Sequence, residues 1–119
     1  MTDFSPKVRA LSAHLDVNYD TISECKYDDN MFESTDEPGE YLVLTESERE
    51  QAADEALENY IDECILPGVP ESFRNYFDRE AWKRDALMSD GYGHTLAYYD
   101  GNEDECQIDG EWYYIYRVN

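Results

Sequence analysis

Two residues in the sequence have side chains that could support nucleophilic catalysis, Cys106 and His94, and the run Gly91-Tyr92-Gly93 beside His94 is typical of a tight loop. A cysteine nucleophile needs a base within hydrogen-bonding distance. However, neither residue lies in a recognised nucleophile motif, and the chain has no Gly-rich loop that could bind phosphate. The sequence therefore favours His94 as a strand-edge side chain bonded to a backbone carbonyl, and it predicts that the protein is not an enzyme.

Four oxygen-bearing residues match part of a calcium-binding loop. They occupy positions 1, 3, 5 and 12 of the EF-hand pattern: Asp100, Asn102, Asp104 and Glu111. The sixth position, where an EF-hand needs Gly for its sharp turn, is Glu105, and the flanking segments read as strands. Asp109-Gly110 is instead typical of a β-hairpin. We therefore predict no metal site and no cofactor, with calcium binding as the alternative.

The three cysteines, Cys25, Cys64 and Cys106, are odd in number and spread about 40 residues apart. This spacing fits neither a disulfide framework nor a zinc motif, so we expect reduced thiols. Residues 1–6 lack the charged and apolar regions of a signal peptide, and no apolar run approaches the ~20 residues of a membrane span. These features predict a cytoplasmic protein.

The chain is strongly acidic, with 29 Asp and Glu against nine Lys and Arg and a net charge of −20. Such a surface repels phosphate backbones and anionic lipids, so we expect no direct nucleic-acid binding and no membrane binding. Residues 1–70 carry −14, residues 71–99 carry −1 and residues 100–119 carry −5. Eleven Tyr and two Trp nonetheless indicate a folded core, and 119 residues fit a single acidic domain over 1–119.

Three helices are predicted from capping residues and apolar spacing. Ser5-Pro6 is typical of a helix start, and apolar residues follow it at helical spacing. The capping-box pattern from Thr45 to Glu48 predicts a second helix that reaches about Cys64 and ends before Pro67-Gly68. Asp78 is predicted to cap a third helix over 79–89, which Gly91 would end.

The remaining patterned segments predict strands. These are residues 41–44, 95–99, 105–108 and 112–118, with a hairpin turn at Asp109-Gly110. The stretch 28–39 is predicted to be a long acidic loop. The fold class is therefore α+β, with about three helices packed on one face of a small antiparallel sheet. The tyrosines at 98, 99, 113, 114 and 116 could form a stacking platform, but alternation along strands favours placing half of them in the core.

The second helix carries the most informative charge pattern. Its apolar side is predicted to hold Ala53, Ala56, Leu57, Tyr60, Ile61 and Cys64, whereas carboxylates four residues apart follow one another along the rest of its surface. Like charges at this spacing cost about 0.2–0.5 kcal/mol per pair. No Lys or Arg between Glu50 and Asp62 relieves them, so we expect that neutralising three of these acids leaves the fold intact or slightly more stable.

A dense row of fixed carboxylates can occupy a groove that binds DNA, because duplex DNA is recognised largely by its regular negative charge. We therefore predict a DNA mimic whose partner is the basic DNA-binding surface of a defence protein; a homodimer is also compatible with the sequence. The predicted partner-binding residues are the acids of the second helix and the preceding loop: Glu48, Glu50, Asp54, Glu55, Glu58, Asp62, Asp28, Asp29, Asp36 and Glu37.

One segment resembles the antirestriction protein ArdA family. In residues 69–87, a Tyr-Phe-Asp precedes an acidic, aromatic helix that contains Arg-Asp, and the matching positions are Tyr76, Phe77, Asp78, Glu80, Ala81, Trp82, Arg84 and Asp85. The resemblance implies an elongated DNA mimic that blocks type I restriction enzymes in the host cytoplasm. Members of that family are longer and contain several small domains. Separately, the ending from Gly93 resembles small phage and prophage proteins, which also implies a mobile-element origin.

Two other functions fit the same composition. The chain could be an acidic module that binds a basic partner without imitating DNA. If it is instead a DNA mimic, the defence nuclease that it blocks could be of the restriction or the CRISPR type. Alternatively, the charge could reflect salt adaptation, because the sequence has only three lysines, Lys7, Lys26 and Lys83. Melting curves at low and molar salt separate this last possibility, since a salt-adapted fold is destabilised when self-repulsion is unscreened.

Overall fold

The computed structural model describes residues 5–26 and 28–119, so the sequence-based expectation for residues 1–4 lies outside the described residues. The helices and strands follow in the order α1 (Pro6–Leu15), β1 (Ile22–Glu24), β2 (Met31–Ser34), β3 (Glu40–Thr45), α2 (Glu46–Tyr60), α3 (Arg79–Leu96), β4 (Asp104–Ile108) and β5 (Glu111–Arg117). Short helical turns lie at Tyr19–Thr21, Ile61–Ile65, Leu66–Gly68 and Glu71–Tyr76.

The five strands form one antiparallel sheet in the order β1-β2-β3-β5-β4. The predicted α+β class is therefore confirmed, and the strands predicted at 41–44, 105–108 and 112–118 are present with ends shifted by one residue. The central pair joins β3 to β5, with Val43 opposite Ile115 and Leu44 opposite Tyr114. Asp109 and Gly110 both have positive φ, 53° and 86°, which is the backbone of the predicted two-residue hairpin.

Both faces of this sheet are covered by helices. Val43 and Ile115 pack with Leu11 of α1, whereas Leu44 and Tyr114 pack with α2 and the end of α3 on the other face. The expectation that all helices lie on one face is wrong, because the two central strands carry apolar or aromatic residues at both alternating positions. For the same reason, the tyrosines of β5 are buried on both faces and form no exposed stacking platform.

Two other assignments from the sequence are wrong. The segment 95–99 is not a strand, since residues 95–96 end α3 and residues 97–99 follow it. Ala97 N–H continues the helical hydrogen bonding by donating to the carbonyl of Gly93, and Leu96 is buried in the core. Gly91 does interrupt the helix, with φ 78° and ψ 174°, but helical backbone resumes after it. The predicted loop 28–39 contains β2, whose Phe32 and Ser34 are buried; three- and four-residue strands among acids give too short an alternation to detect.

Helix starts agree with the capping residues. Ser5 Oγ accepts a hydrogen bond from Val8 N–H, Asp78 caps α3 through Ala81 N–H, and Thr45 and Glu48 form the reciprocal capping box. The regular α-helix of α2 ends at Tyr60 and continues as a π-helical turn, Ile61–Ile65. No helix within the described ranges is long and apolar enough to cross a membrane.

The molecule is elongated. Its principal extents are 61 × 27 × 21 Å and its radius of gyration is 16.8 Å, whereas a compact chain of this length has a radius of about 13–14 Å. The α2–α3 hairpin accounts for the length, since residues 61–78 at its far end contain a single buried residue, Ile61. The chain thus combines a sheet layered between helices with a projecting helical hairpin.

Gly93 provides a test of this packing. A Cβ at this position would lie 2.5 Å from the carbonyl oxygen of Gly101 and 2.9 Å from the backbone nitrogen of Glu103. We expect Gly93→Ala to destabilise the fold by about 1–3 kcal/mol, because backbone must move to make room. The matched control is Gly68→Ala, whose Cβ would meet nothing within 4 Å. Urea unfolding measures both variants, and equal midpoints would contradict the packing described.

Candidate functional site

Packing divides the predicted acidic face of α2 into two flanks. One flank, with Asp54, Glu58 and Asp62, meets α3 and forms ion pairs with it. The other flank, with Glu48 and Glu55, borders a groove on the sheet. The ten predicted partner-binding acids therefore occupy different environments, and only some of them have charges left for a partner.

Lys83 lies at the centre of the first flank. Its Nζ is 2.6 Å from Asp54 Oδ1, 2.8 Å from Glu58 Oε1 and 2.9 Å from Glu80 Oε1. The lysine side chain is only 6% exposed, whereas those of its three partners are 31–82% exposed. The ammonium group is thus enclosed by carboxylates that themselves remain in contact with water.

Arg79 extends the same row by one turn. It donates to Glu58 Oε2 at 2.5 Å and to Asp62 Oδ1 at 2.6 Å. We call Asp54, Glu58, Asp62, Arg79 and Lys83 the ionic seam. The expectation that no base relieves the acids of α2 is wrong, because the bases come from α3, where a spacing of four residues matches the spacing of the acids.

The seam shifts the titration of its members. Hydrogen bonds from Lys83 and then Arg79 lower the pKa of Glu58 below its usual value. Hydrogen bonds to Asp54 and Glu58 raise the pKa of Lys83, and those to Asp62 and Glu58 raise the pKa of Arg79. All three shifts favour the charged forms of Glu58, Arg79 and Lys83.

Glu48 also has a structural role. Burial alone would raise the pKa of Glu48, but hydrogen bonds from Lys7 and Thr45 outweigh burial and lower it. Its carboxylate lies 2.7 Å from Lys7 Nζ and accepts from Thr45 N–H at 2.9 Å. Glu48 therefore ties α1 to the start of α2 and has less charge to offer a partner.

The second flank of α2 borders a groove of about 760 Å³ that runs over β2 and β3. Its floor is apolar and includes Leu42, Leu44 and Leu96. We call it the acidic groove, because its rim carries four carboxylates: Asp28, Glu40, Glu48 and Glu55. The fold thus brings Asp28 of the predicted loop together with Glu48 and Glu55 of the predicted helix.

The remaining predicted acids have no Lys or Arg within 4 Å in the described part of the chain, and all but the half-buried Asp28 are exposed. We call this set the free acids: Asp28, Asp29, Asp36, Glu37, Glu50 and Glu55. Asp28 accepts a hydrogen bond from Asn30 N–H, and Ser34 Oγ accepts from the backbone of Asp36 and Glu37, so the loop has a defined shape. Among the ten predicted partner-binding acids, the free acids are therefore the ones whose negative charge remains available to a partner.

The candidate catalytic and calcium residues are not brought together. His94 lies on α3 and lines a groove beside α2, whereas Cys106 packs against the core on the α1 side of the sheet. The strand-edge position expected for His94 is therefore wrong. Asp104 and Glu111 lie at opposite ends of the β4–β5 ladder, about 13 Å apart. No group of three or more metal-ligating side chains occurs among residues 5–26 and 28–119.

A second groove, of about 460 Å³, lies between α2 and α3 and was not predicted from the sequence. We call it the aromatic groove, and the side chains that define it are Ala56, Tyr60, Glu63, Trp82, Ala86 and Asp90. The rings of Tyr60 and Trp82 stack with centroids 5.7 Å apart and planes 15° apart. The sequence pattern places Ala56 and Tyr60 on one side of the second helix, and the four-residue spacing of Trp82, Ala86 and Asp90 likewise indicates one face of α3.

Two arginines of this protein are themselves held by aromatic rings, Arg49 and Arg117. The Arg49 guanidinium carbon lies 4.1 Å from the Tyr92 ring centroid and 3.9 Å from that of Tyr114, and Glu103 binds it at 3.2 Å. Tyr116 donates its hydroxyl to the same Glu103 at 2.5 Å. These contacts show how the high tyrosine content positions scarce cations next to carboxylates.

Neutralising the acids of the seam tests its structural role. We expect the triple substitution Asp54→Asn, Glu58→Gln, Asp62→Asn to lower the melting temperature by several degrees, because it leaves the enclosed Lys83 without ionised partners on α2. This reverses the sign expected from the sequence. The control, Glu50→Gln, Glu55→Gln, Glu63→Gln, removes the same charge from unpaired positions. A triple variant as stable as this control would show that the seam contributes nothing.

The lowered pKa of Glu58 gives a pH test. Its contribution is present above its unfolded pKa of about 4.5 and is lost as pH falls through its folded pKa. We therefore expect Glu58→Gln to melt below wild type at pH 7, with the difference vanishing as the pH falls through the lowered pKa of Glu58 in the folded protein. Glu55→Gln, one turn away, should show no such trend. Melting curves from pH 7 to 3 measure this, and a constant difference for Glu58→Gln would contradict it.

The segment that resembles the ArdA family, residues 69–87, contains the turn Glu71–Tyr76 and the first half of α3. Its Asp78 caps the helix and its Trp82 stacks on Tyr60. The resemblance itself stays a prediction. Comparison of the chain with protein-family models, curated proteins and solved structures gives no match.

Proposed function

We propose that this protein is a DNA mimic that occupies the DNA-binding surface of a host defence nuclease and thereby inhibits it. The observation that carries the proposal is a rod of fixed negative charge. The long axis is 61 Å and the net charge is −20, which gives one net charge per about 3 Å. Duplex DNA carries one per about 1.7 Å, so the protein has roughly half the linear charge density of a duplex.

The distribution of cations supports the same proposal. In the part of the chain that the structure describes, five of the nine Lys and Arg residues form ion pairs with carboxylates, namely Lys7, Arg9, Arg49, Arg79 and Lys83. Each of these cations joins two segments of the fold that are distant in the sequence, so the cations help to hold those segments together. The acids left over face solvent, and a basic groove would release counterions from them much as it does from DNA.

Within the predicted partner-binding set, the free acids are the contact surface we propose. Asp36, Glu37, Glu50 and Glu55 have neither ion pairs nor capping roles, so binding them would not break a contact that the fold needs. By contrast, Asp54, Glu58 and Asp62 hold α2 to α3. Their role is to keep the hairpin rigid, which keeps the charges at fixed spacing and reduces the entropy lost on binding.

A second function, an acidic module that does not imitate DNA, is favoured by the acidic groove. Its apolar floor and acidic rim suit an amphipathic basic helix, which buries its apolar side and pairs its cations with the rim. DNA has no apolar face for such a floor. A partner bound in this way would not compete with DNA.

Competition with DNA distinguishes the two functions. Tagged protein captures partners from bacterial lysate, and the captured proteins are then challenged with a 20-base-pair duplex or with polyglutamate of equal charge. Mimicry predicts that the duplex releases the partner and polyglutamate does so much less well. Partners that stay bound in the presence of duplex would favour the acidic module instead, and recovery of no basic protein would count against both.

Charge-matched variants locate the contact surface. We expect simultaneous substitution of four free acids to weaken partner binding by about tenfold and to flatten its salt dependence, because each exposed charge at the interface adds a few tenths of a kcal/mol to the binding free energy. The substitutions are Asp36→Asn, Glu37→Gln, Glu50→Gln and Glu55→Gln. The control removes four exposed charges elsewhere, by Asp20→Asn, Glu71→Gln, Asp85→Asn and Glu105→Gln. Calorimetric titration at several salt concentrations measures both, and equal losses would contradict the assignment of the surface.

A further inference from the structure

The aromatic groove lies on the other side of the α2–α3 hairpin from the ionic seam. Trp82 and Lys83 are consecutive residues of α3, so their side chains leave the helix about 100° apart. Lys83 closes the seam, whereas Trp82 faces the groove and stacks on Tyr60. Small residues, Ala56 and Ala86, line the groove beside the stacked rings and leave it open.

The groove combines exposed aromatic surface with unpaired negative charge. Tyr60 is 50% exposed although its ring is stacked. Glu63 and Asp90 line the groove, and neither has a Lys or Arg within 4 Å in residues 5–26 and 28–119. Aromatic faces attract cations through the ring quadrupole, and carboxylates attract them through charge. The groove is therefore complementary to a cation that also has apolar surface.

Another site in the same protein shows which cation is bound by aromatic rings together with a carboxylate. Arg49 is bound by two aromatic rings and one carboxylate, at 3.9 and 4.1 Å from the ring centroids and 3.2 Å from Glu103. The aromatic groove presents the same kinds of group, namely the stacked Tyr60 and Trp82 rings, the ring of Tyr98 and two carboxylates, and none of the residues that line it is an arginine. Because Tyr60 and Trp82 already contact each other, an incoming guanidinium would stack on the pair rather than between the rings.

Arginine suits this groove better than lysine. Its guanidinium is planar, weakly hydrated and able to stack on a ring while donating two hydrogen bonds to a carboxylate, whereas the ammonium of lysine is compact and strongly hydrated. A neutral apolar side chain would leave Glu63 and Asp90 without compensation. An anion would be repelled by both.

We infer that the aromatic groove is a binding subsite for an arginine side chain carried by a basic segment of the partner protein. The inference rests on the proposed function for the existence of a basic partner. It adds a specific contact, made by Tyr60, Trp82, Glu63 and Asp90, to an interaction otherwise guided by overall charge. Aromatic residues together with arginine are the usual dominant contacts at protein interfaces.

Trp82 reports on the groove directly. The test uses the variant Trp112→Phe, in which Trp82 is the only tryptophan. The probe is a synthetic peptide of alternating Arg and Gly, and the control peptides carry Lys or Glu in place of Arg. We expect a saturable change in Trp82 fluorescence with the Arg peptide, at least threefold weaker binding of the Lys peptide, and no change with the Glu peptide. In Trp82→Phe, checked for folding by circular dichroism, Trp112 should not respond. Equal responses to the Arg and Lys peptides, or no saturation, would overturn the inference.

Matched variants separate this subsite from general charge attraction. Glu63→Gln with Asp90→Asn should weaken the Arg peptide about fivefold or more, whereas Glu71→Gln with Asp85→Asn removes the same charge from the hairpin outside the groove and should change binding less than twofold. Equal effects of the two pairs would also overturn the inference. If duplex-displaceable capture of partners persists in that case, only the arginine subsite fails, while the proposed DNA mimicry stands.

Discussion

Scarcity of positive charge is the constraint on which this structure depends. With nine Lys and Arg for 29 acids, the fold cannot neutralise its surface, so it places cations where two elements must meet. Lys83 and Arg79 join α3 to α2, Lys7 joins α1 to the start of α2, and Arg49 joins α2 to the segment before β4. Arg79 and Lys83 each form ion pairs with more than one carboxylate. These shared pairs reduce the repulsion between acids in a chain whose net charge is −20.

Tyrosine makes this arrangement compatible with a small core. Tyr113 lies on one face of the sheet and Tyr114 and Tyr116 on the other, so a single strand contributes large rings to both layers. Their ring faces also receive arginines, as between Arg49 and Tyr114, which lets a cation lie inside the protein next to apolar groups. Leucine or isoleucine at these positions would fill the volume but would not hold a guanidinium.

Local signals allowed much of the fold to be predicted from the sequence. Ser5, Thr45 and Asp78 act within one turn of the chain, and the hairpin at Asp109-Gly110 needs only two residues, so these features were identified correctly. The charge state of α2 was not predictable in this way, because its neutralising bases lie more than 15 residues further along the chain. The same limit applies to the aromatic groove, whose two walls come from different helices. The sequence named the free acids only together with the paired ones, because which acids of α2 lack a base depends on the same distant residues.

The order of strands has a consequence for how the protein folds. The centre of the sheet joins β3 to β5, and α2, α3 and β4 lie between them in the chain. During synthesis, β3 is therefore complete well before its central partner exists, and until then it has only β2 to pair with. Closing so long a loop makes the central ladder a slow, non-local step. In the meantime, the apolar residues of β3 stay exposed on an open strand edge, where the negative charge of the surrounding chain would oppose association between nascent copies.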